Sequence, residues 1–137
     1  LVPWEKLVVP REVDGSMGLH RAPRASCVLR ASNDYEAVQA WLSLHEAPAT
    51  QRAYRKEAER LILWAIVERG VALSSLATED AVTYRAFLRQ PTPRQRWVGP
   101  ASPRHSAEWR PFAGGLSTRS RAYALSVLSS MFRWLIE

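Results

Sequence analysis

The sequence has a single cysteine, Cys27, among its 137 residues. One thiol excludes an internal disulfide framework and favours a reducing compartment. Long apolar runs are missing as well, since no stretch approaches the roughly 20 apolar residues that a membrane span requires. We therefore expect a cytoplasmic protein without a membrane partner.

Residue patterns that perform chemistry are also missing. None of the three histidines has a Cys or His neighbour at metal-ligand spacing. Gly114 and Gly115 precede a helix signal but lack the strand and the Lys of a phosphate-binding loop, and no Ser nucleophile motif is present. Paired carboxylates such as Glu57 and Glu59 are better interpreted as salt-bridge partners. We predict that this chain alone is not an enzyme and uses no metal or cofactor.

Lysine is scarce, with Lys6 and Lys56 against 17 arginines, and the net charge is +6. The planar guanidinium of arginine makes paired hydrogen bonds to phosphates and base edges, which lysine cannot do. Codon composition and solubility are alternative explanations of the arginine bias. The position of the charge is more informative. Residues 1–88 and 122–137 each sum to zero, whereas residues 89–121 hold seven arginines against Glu108. The entire net charge lies in one segment, which favours an anionic partner.

The chain length allows one ordinary domain with a real core. It begins with Leu1 rather than Met and ends at Glu137 inside a helical pattern, so we expect a piece of a longer protein. Residues 1–32 are interrupted by Pro and Gly without a sustained period, which predicts an irregular arm or linker packed locally through Trp4. Residues 33–137 are predicted to form the helical domain.

Four helices are predicted in that domain, and no alternating run of strand length competes with them. The first is capped by Asn33-Asp34, and the second runs from Pro48 or Thr50 to Gly70. The third begins at Thr78 and ends before Pro91, and the fourth is capped by Ser117 or Thr118. The predicted inner faces comprise Val38, Trp41 and Leu42; Tyr54, Ala58, Leu61, Ile62 and Ala65; Ala81, Tyr84, Phe87 and Leu88; and Leu125, Leu128, Phe132 and Leu135. The charged residues of the second helix are predicted to lie largely off its apolar face: Arg52, Arg55, Lys56, Glu59 and Arg60.

Residues 90–116 form a long connection that is rich in Pro and Arg and shows no regular pattern. Its aromatic residues argue against full disorder because they must be buried somewhere. We predict that this segment, called the insertion below, lies back over the bundle through Trp97, Trp109 and Phe112 and leaves its arginines outward.

Two predicted helices open with hydroxyls and basic side chains. The helix dipole, free amides and positive charge at such a start all suit phosphate contact, and Arg or Gln there can also reach base edges. For each residue taken singly, a solvated face or a cap explains the pattern equally well. The residues are Thr50, Arg52, Arg55 and Lys56 in the second helix, and Ser117, Arg119, Ser120 and Arg121 in the fourth.

Three sequence motifs occur in order along the helical domain. Residues 47–57 read APATQRAYRKE, residues 73–80 read LSSLATED, and residues 117–125 read STRSRAYAL. Together they resemble the core-binding domain of tyrosine recombinases, the phage integrase family. The first resembles the opening of the helix in which a Thr is followed four residues later by a Tyr. The second leads into the next helix of that family, and the third begins the last helix before the catalytic domain. The resemblance covers about residues 33–137.

The resemblance implies a four-helix, SAM-like orthogonal bundle that forms one jaw of a clamp around double-stranded DNA. The second and fourth helices would face the DNA, with Tyr54 packed inside. The other partners would be recombinase subunits in a tetramer on DNA, so the protein would be nucleoid-associated. The catalytic residues belong to a further domain, which is absent from this chain. The implied DNA contacts are the eight residues of the two basic helix starts.

The insertion departs from the family pattern, in which the third and fourth helices are joined by a short connection. It resembles a subgroup with an extended loop at that place. We favour added phosphate contacts from Arg94, Arg96, Arg104 and Arg110, and a subunit interface is the alternative. For the whole chain, the alternative function is a helical protein-interaction module whose Arg-rich insertion meets an acidic partner or another recombinase subunit.

Overall fold

Helices make up most of the part of the chain that the computed structural model describes, residues 1–6 and 34–136. These residues contain no strand, only an isolated parallel bridge between Val98 and Phe112. The predicted all-α class is therefore confirmed, and the SAM-like arrangement stays a prediction. The rest of the predicted arm, residues 7–32, and the Asn33 part of the first cap lie outside the described residues. The α-helices are α1 (Asp34–Leu42), α2 (Pro48–Trp64), α3 (Thr78–Arg89), α4 (Arg94–Trp97) and α5 (Thr118–Ile136).

The described chain divides into two compact units, which we name by their charge. The basic unit comprises residues 1–6 and 77–125, with nine basic and four acidic side chains and a net charge of +5. The neutral unit comprises residues 34–76 and 126–136, with six side chains of each sign. Helix α5 begins in the basic unit and ends in the neutral unit. The positive charge of the described residues therefore belongs to the unit that contains the insertion.

The neutral unit buries the predicted faces of α1 and α2. Val38, Trp41 and Leu42 of α1 are buried, as are Ala58, Leu61 and Ile62 of α2 and Ala65 directly after it, while Tyr54 is half-buried. A π-helical turn, Ala65–Arg69, continues α2 and ends at Gly70, whose φ of 66° is the left-handed conformation that glycine adopts without strain. The predicted end of the second helix is thus confirmed.

Helix α2 also buries charged side chains that the sequence analysis placed off its apolar stripe. Glu59 and Arg60 are 5% and 9% exposed, so that prediction is wrong for both. Glu57 is buried as well, and its carboxylate lies 3.6 Å from the guanidinium of Arg60. Burial raises the pKa of Glu57, because the loss of solvent outweighs the opposing effect of Arg60. The salt-bridge interpretation of Glu57 is confirmed by this pair.

An aromatic cluster joins the insertion to α3 in the basic unit. Trp97 and Phe112 are both buried. Each packs edge-to-face on Phe87, with ring centroids 5.0 Å apart for Trp97 and 5.7 Å apart for Phe112. Trp109 is also buried, so all three predicted anchors of the insertion are confirmed. The prediction that the insertion lacks regular structure is wrong at α4, the short helix that Trp97 ends. Ala81, predicted to face inward on α3, is exposed.

Helix α5 is rotated by about one residue from its predicted register. The buried positions are Ala124, Val127, Leu128 and Met131, whereas Leu125, Phe132 and Leu135 are only partly covered. Both sets contain positions three and four residues apart, so the spacing is compatible with either face. The buried face contains a small and an unbranched side chain, Ala124 and Met131, which fit closely packed or irregular surroundings.

Gly115 fixes the connection between the insertion and α5. A Cβ at this position would lie 2.0 Å from the carbonyl oxygen of Arg89, a backbone atom at the end of α3. The backbone amide of the next residue, Leu116, donates a 2.8 Å hydrogen bond to the carbonyl of Leu88. Only a residue without a side chain therefore allows the start of α5 to lie against the end of α3.

We expect Gly115→Ala to lower the free energy of unfolding by about 1–3 kcal/mol, because backbone atoms must move apart to admit the methyl group. Gly114→Ala is the matched control, since a Cβ at Gly114 meets nothing within 4 Å. Urea denaturation of both variants, followed by circular dichroism, measures the difference. Equal stability of the two variants would show that the close approach at Gly115 is not required.

Candidate nucleic-acid interface

The first two arginines of the insertion are presented by α4. Arg94 and Arg96 are exposed, while Trp97 at the end of the same short helix is completely buried. The backbone of Trp97 accepts a hydrogen bond from Phe112, and the amide of Gly99 donates one to the carbonyl of Phe112. A buried ring and two backbone bonds thus hold the helix while its two guanidinium groups face solvent.

Arg110 is used differently, so the prediction that the arginines of the insertion lie outward is wrong for this residue. Its Nε donates a 2.8 Å hydrogen bond to the carbonyl of Gln95. Its Nη1 donates to the carbonyls of Ala107 and Trp109, at 3.2 and 2.9 Å. Arg110 therefore joins separate segments of the insertion, and its predicted DNA contact stays a prediction.

Arg104 lies on the ring of Trp109, with its guanidinium carbon 5.2 Å from the ring centroid. Glu5, in the 3₁₀ turn Trp4–Lys6, accepts two hydrogen bonds from this guanidinium. Trp4 of this turn is buried, and the turn belongs to the basic unit together with residues 77–125, so its packing is not only local as predicted. Sequence analysis missed this pair because 98 residues separate its members and no local pattern links them.

The start of α5 has the predicted cap. The hydroxyl of Ser117 accepts a hydrogen bond of 3.2 Å from the amide of Ser120, and the two hydroxyls lie 3.2 Å apart. Arg121 turns back, since its guanidinium donates to the carbonyl of Leu116 at 2.7 Å and to the hydroxyl of Thr118 at 3.2 Å. Arg119, in contrast, is exposed. Among the basic side chains of this start, Arg119 is the one directed to solvent.

The start of α2 exposes Arg52, Arg55 and Lys56, and half-buries Thr50. The helix begins at Pro48 as predicted, with Ala47 as N-cap and no side-chain cap. This start belongs to the neutral unit, whereas the start of α5 belongs to the basic unit. That the two starts share one DNA-binding surface stays a prediction.

Tyr54 is packed, as the sequence analysis predicted. Its ring stacks on Trp41 at 5.5 Å between centroids, and His45 meets both rings edge-on at 4.8 and 5.2 Å. The backbone carbonyl of His45 accepts a hydrogen bond from the side chain of Gln51. These contacts hold the first turns of α2 against the end of α1, within the neutral unit.

Two exposed arginines of α3 escaped the sequence analysis. Arg85 and Arg89 lie four residues apart and are both exposed, while Tyr84 and Leu88, the residues just before each of them, face the core. Their signal was present as an i, i+4 pair on the outer face. Arg89 was counted only as part of the basic segment 89–121, and the charge of Arg85 was balanced by the acidic first turn of the helix, Glu79 and Asp80.

The described residues contain no group of three His, Cys, Asp or Glu side chains that could hold a metal ion. Nor does any helix among them reach the length and apolar character needed to cross a membrane. Comparison of the chain with protein-family models, with curated proteins and with solved structures finds no match. The described residues of the basic unit thus present the exposed guanidinium groups of Arg94, Arg96 and Arg119 on a backbone that contains buried aromatic anchors.

Proposed function

We propose that this chain binds double-stranded DNA as the core-binding domain of a site-specific tyrosine recombinase. It holds and orients the DNA site, while strand cleavage and rejoining belong to a separate catalytic domain. Phosphate contacts supply most of the affinity and fix the register on the duplex, with modest readout of bases. Other recombinase subunits bound to the same DNA are its further partners.

The +5 charge of the basic unit is the observation that carries this proposal. Within this unit, the buried ring of Trp97 packs on Phe87 and anchors the insertion. Arg94 and Arg96 are exposed on the short helix that Trp97 ends. Arg119 adds an exposed guanidinium at a helix start, where amides and the helix dipole also favour phosphate. The resemblance of residues 33–137 to core-binding domains supports the same assignment.

A second candidate function is a protein-interaction module, which is favoured by exposed apolar side chains in the same unit. Val82 is 61% and Tyr123 is 47% exposed. Exposed aromatic residues often carry the affinity of protein interfaces. The two functions differ in their salt dependence, because phosphate binding releases counterions from DNA.

Arg119→Ala is expected to weaken binding to duplexes of any sequence about five- to tenfold near 0.1 M salt, and to flatten the log–log salt slope by about 0.9. Fluorescence anisotropy with a labelled duplex measures both quantities. Arg133→Ala is the matched control, because Arg133 is an exposed arginine of the same helix in the neutral unit. Affinity that is unchanged in Arg119→Ala would reject the proposed face.

A further inference from the structure

The contact between Arg104 and Glu5 has the geometry of a bound anion. Nε of Arg104 donates to Oε1 at 3.1 Å, and Nη2 donates to Oε2 at 2.6 Å. Two parallel hydrogen bonds of this kind make the fork by which arginine binds either a carboxylate or a phosphate. The ring of Trp109 lies under the guanidinium, so a second contact fixes the plane of the fork.

The platform beneath this fork does not depend on Glu5. Trp109 is 8% exposed, and its amide donates a hydrogen bond of 3.2 Å to the carbonyl of Ser106 within the insertion. The two charged side chains, in contrast, remain 44% and 40% exposed. Exposed ion pairs contribute little to stability, so another anion can displace the carboxylate without disturbing the platform.

We propose that the fork of Arg104 on Trp109 is a site for a backbone phosphate of duplex DNA, and that Glu5 occupies it in the DNA-free chain. Binding of the phosphate and the contact with Glu5 exclude each other, because both use Nε and Nη2 of the same guanidinium. The N-terminal turn thus limits the number of phosphates that the basic unit neutralises. This inference rests on the proposed function, since it names a contact and a control of the same DNA-binding surface.

The test is the affinity of the whole 137-residue chain for a labelled 20-base-pair duplex of arbitrary sequence, measured over a range of salt concentrations. Glu5→Gln keeps the shape of the side chain and removes its charge. It is expected to bind about two- to fivefold more tightly, the range by which an exposed ion pair competes. Because one further phosphate is neutralised, the log–log salt slope becomes steeper by about 0.9.

Glu108→Gln is the matched control for the change in net charge. Glu108 is an exposed carboxylate of the insertion, and the hydroxyl of Ser106 donates a hydrogen bond to it. That bond lowers the pKa of Glu108 and so favours its charged form. Glu108→Gln changes the net charge by the same amount as Glu5→Gln but leaves the contact between Arg104 and Glu5 in place. The salt slope of this variant should therefore remain that of the wild type.

A double variant, Glu5→Gln with Arg104→Gln, completes the test. It is expected to return affinity and slope to those of the wild type, because the released fork is then missing. Equal gains in Glu5→Gln and Glu108→Gln, with parallel slopes, would overturn the phosphate site and leave duplex binding in place. No duplex binding by any of these proteins, wild type included, would overturn the proposed function and this site together.

Discussion

Trp97→Ala is expected to lower the free energy of unfolding by about 3–5 kcal/mol, the range for truncating a buried aromatic side chain. Trp97 is completely buried and packs edge-to-face on Phe87 at 5.0 Å and on Phe112 at 6.3 Å. Its removal leaves a cavity and ends two aromatic contacts at once. It also releases α4, so Arg94 and Arg96 would no longer be held in place.

Urea denaturation followed by tryptophan fluorescence and by circular dichroism measures the effect of Trp97→Ala. Tyr123→Ala is the control, because it truncates an aromatic ring of the same unit that is 47% exposed. We expect the control to lose no more than about 1 kcal/mol. Similar losses in both variants would contradict the role of Trp97 as the anchor of the insertion.

The elements of the fold were largely predictable because their signals are local. Pro48, Gly70 and Ser117 mark helix ends through constraints that act within one turn of the chain. The anchoring of the insertion was also predictable, since large aromatic rings in a polar segment have to be buried. These predictions needed no knowledge of which elements meet.

Other features depended on long-range contacts and were not predictable. Glu59 and Arg60 are buried, although charged side chains are usually exposed. The register of α5 was predicted one residue off, since two faces satisfy the same spacing. Short α4 was missed because four residues are too few for a periodic pattern.

The candidate site was predictable in composition but not in conformation. The sequence identifies residues 89–121 as the basic segment. It does not show that Arg110 and Arg121 turn back onto carbonyls, or that Arg104 meets Glu5. Side-chain direction depends on acceptors that the fold brings near, so charge counting overestimates the number of outward arginines.

Replacing Arg94, Arg96 and Arg119 together by Ala is expected to weaken duplex binding on the order of a hundredfold near 0.1 M salt. All three side chains are exposed, so stability should change little. The matched control replaces Arg69 and Arg133, two exposed arginines of the neutral unit. Per charge removed, the control should lose much less affinity, because its arginines lie outside the basic unit. Equal losses per charge would contradict a phosphate-binding role for the three arginines.

The salt dependence of duplex affinity, measured for the wild-type chain beside this triple variant, tests the central claim most directly. For the wild type, we predict that the logarithm of the binding constant falls linearly with the logarithm of the salt concentration. The slope should be about −2.7 or steeper, which is −0.9 for each of three phosphates. Affinity then falls roughly fortyfold or more between 50 and 200 mM salt, and the triple variant loses that slope. Wild-type affinity that does not change with salt, or a triple variant with the full slope, would contradict phosphate binding by the basic unit.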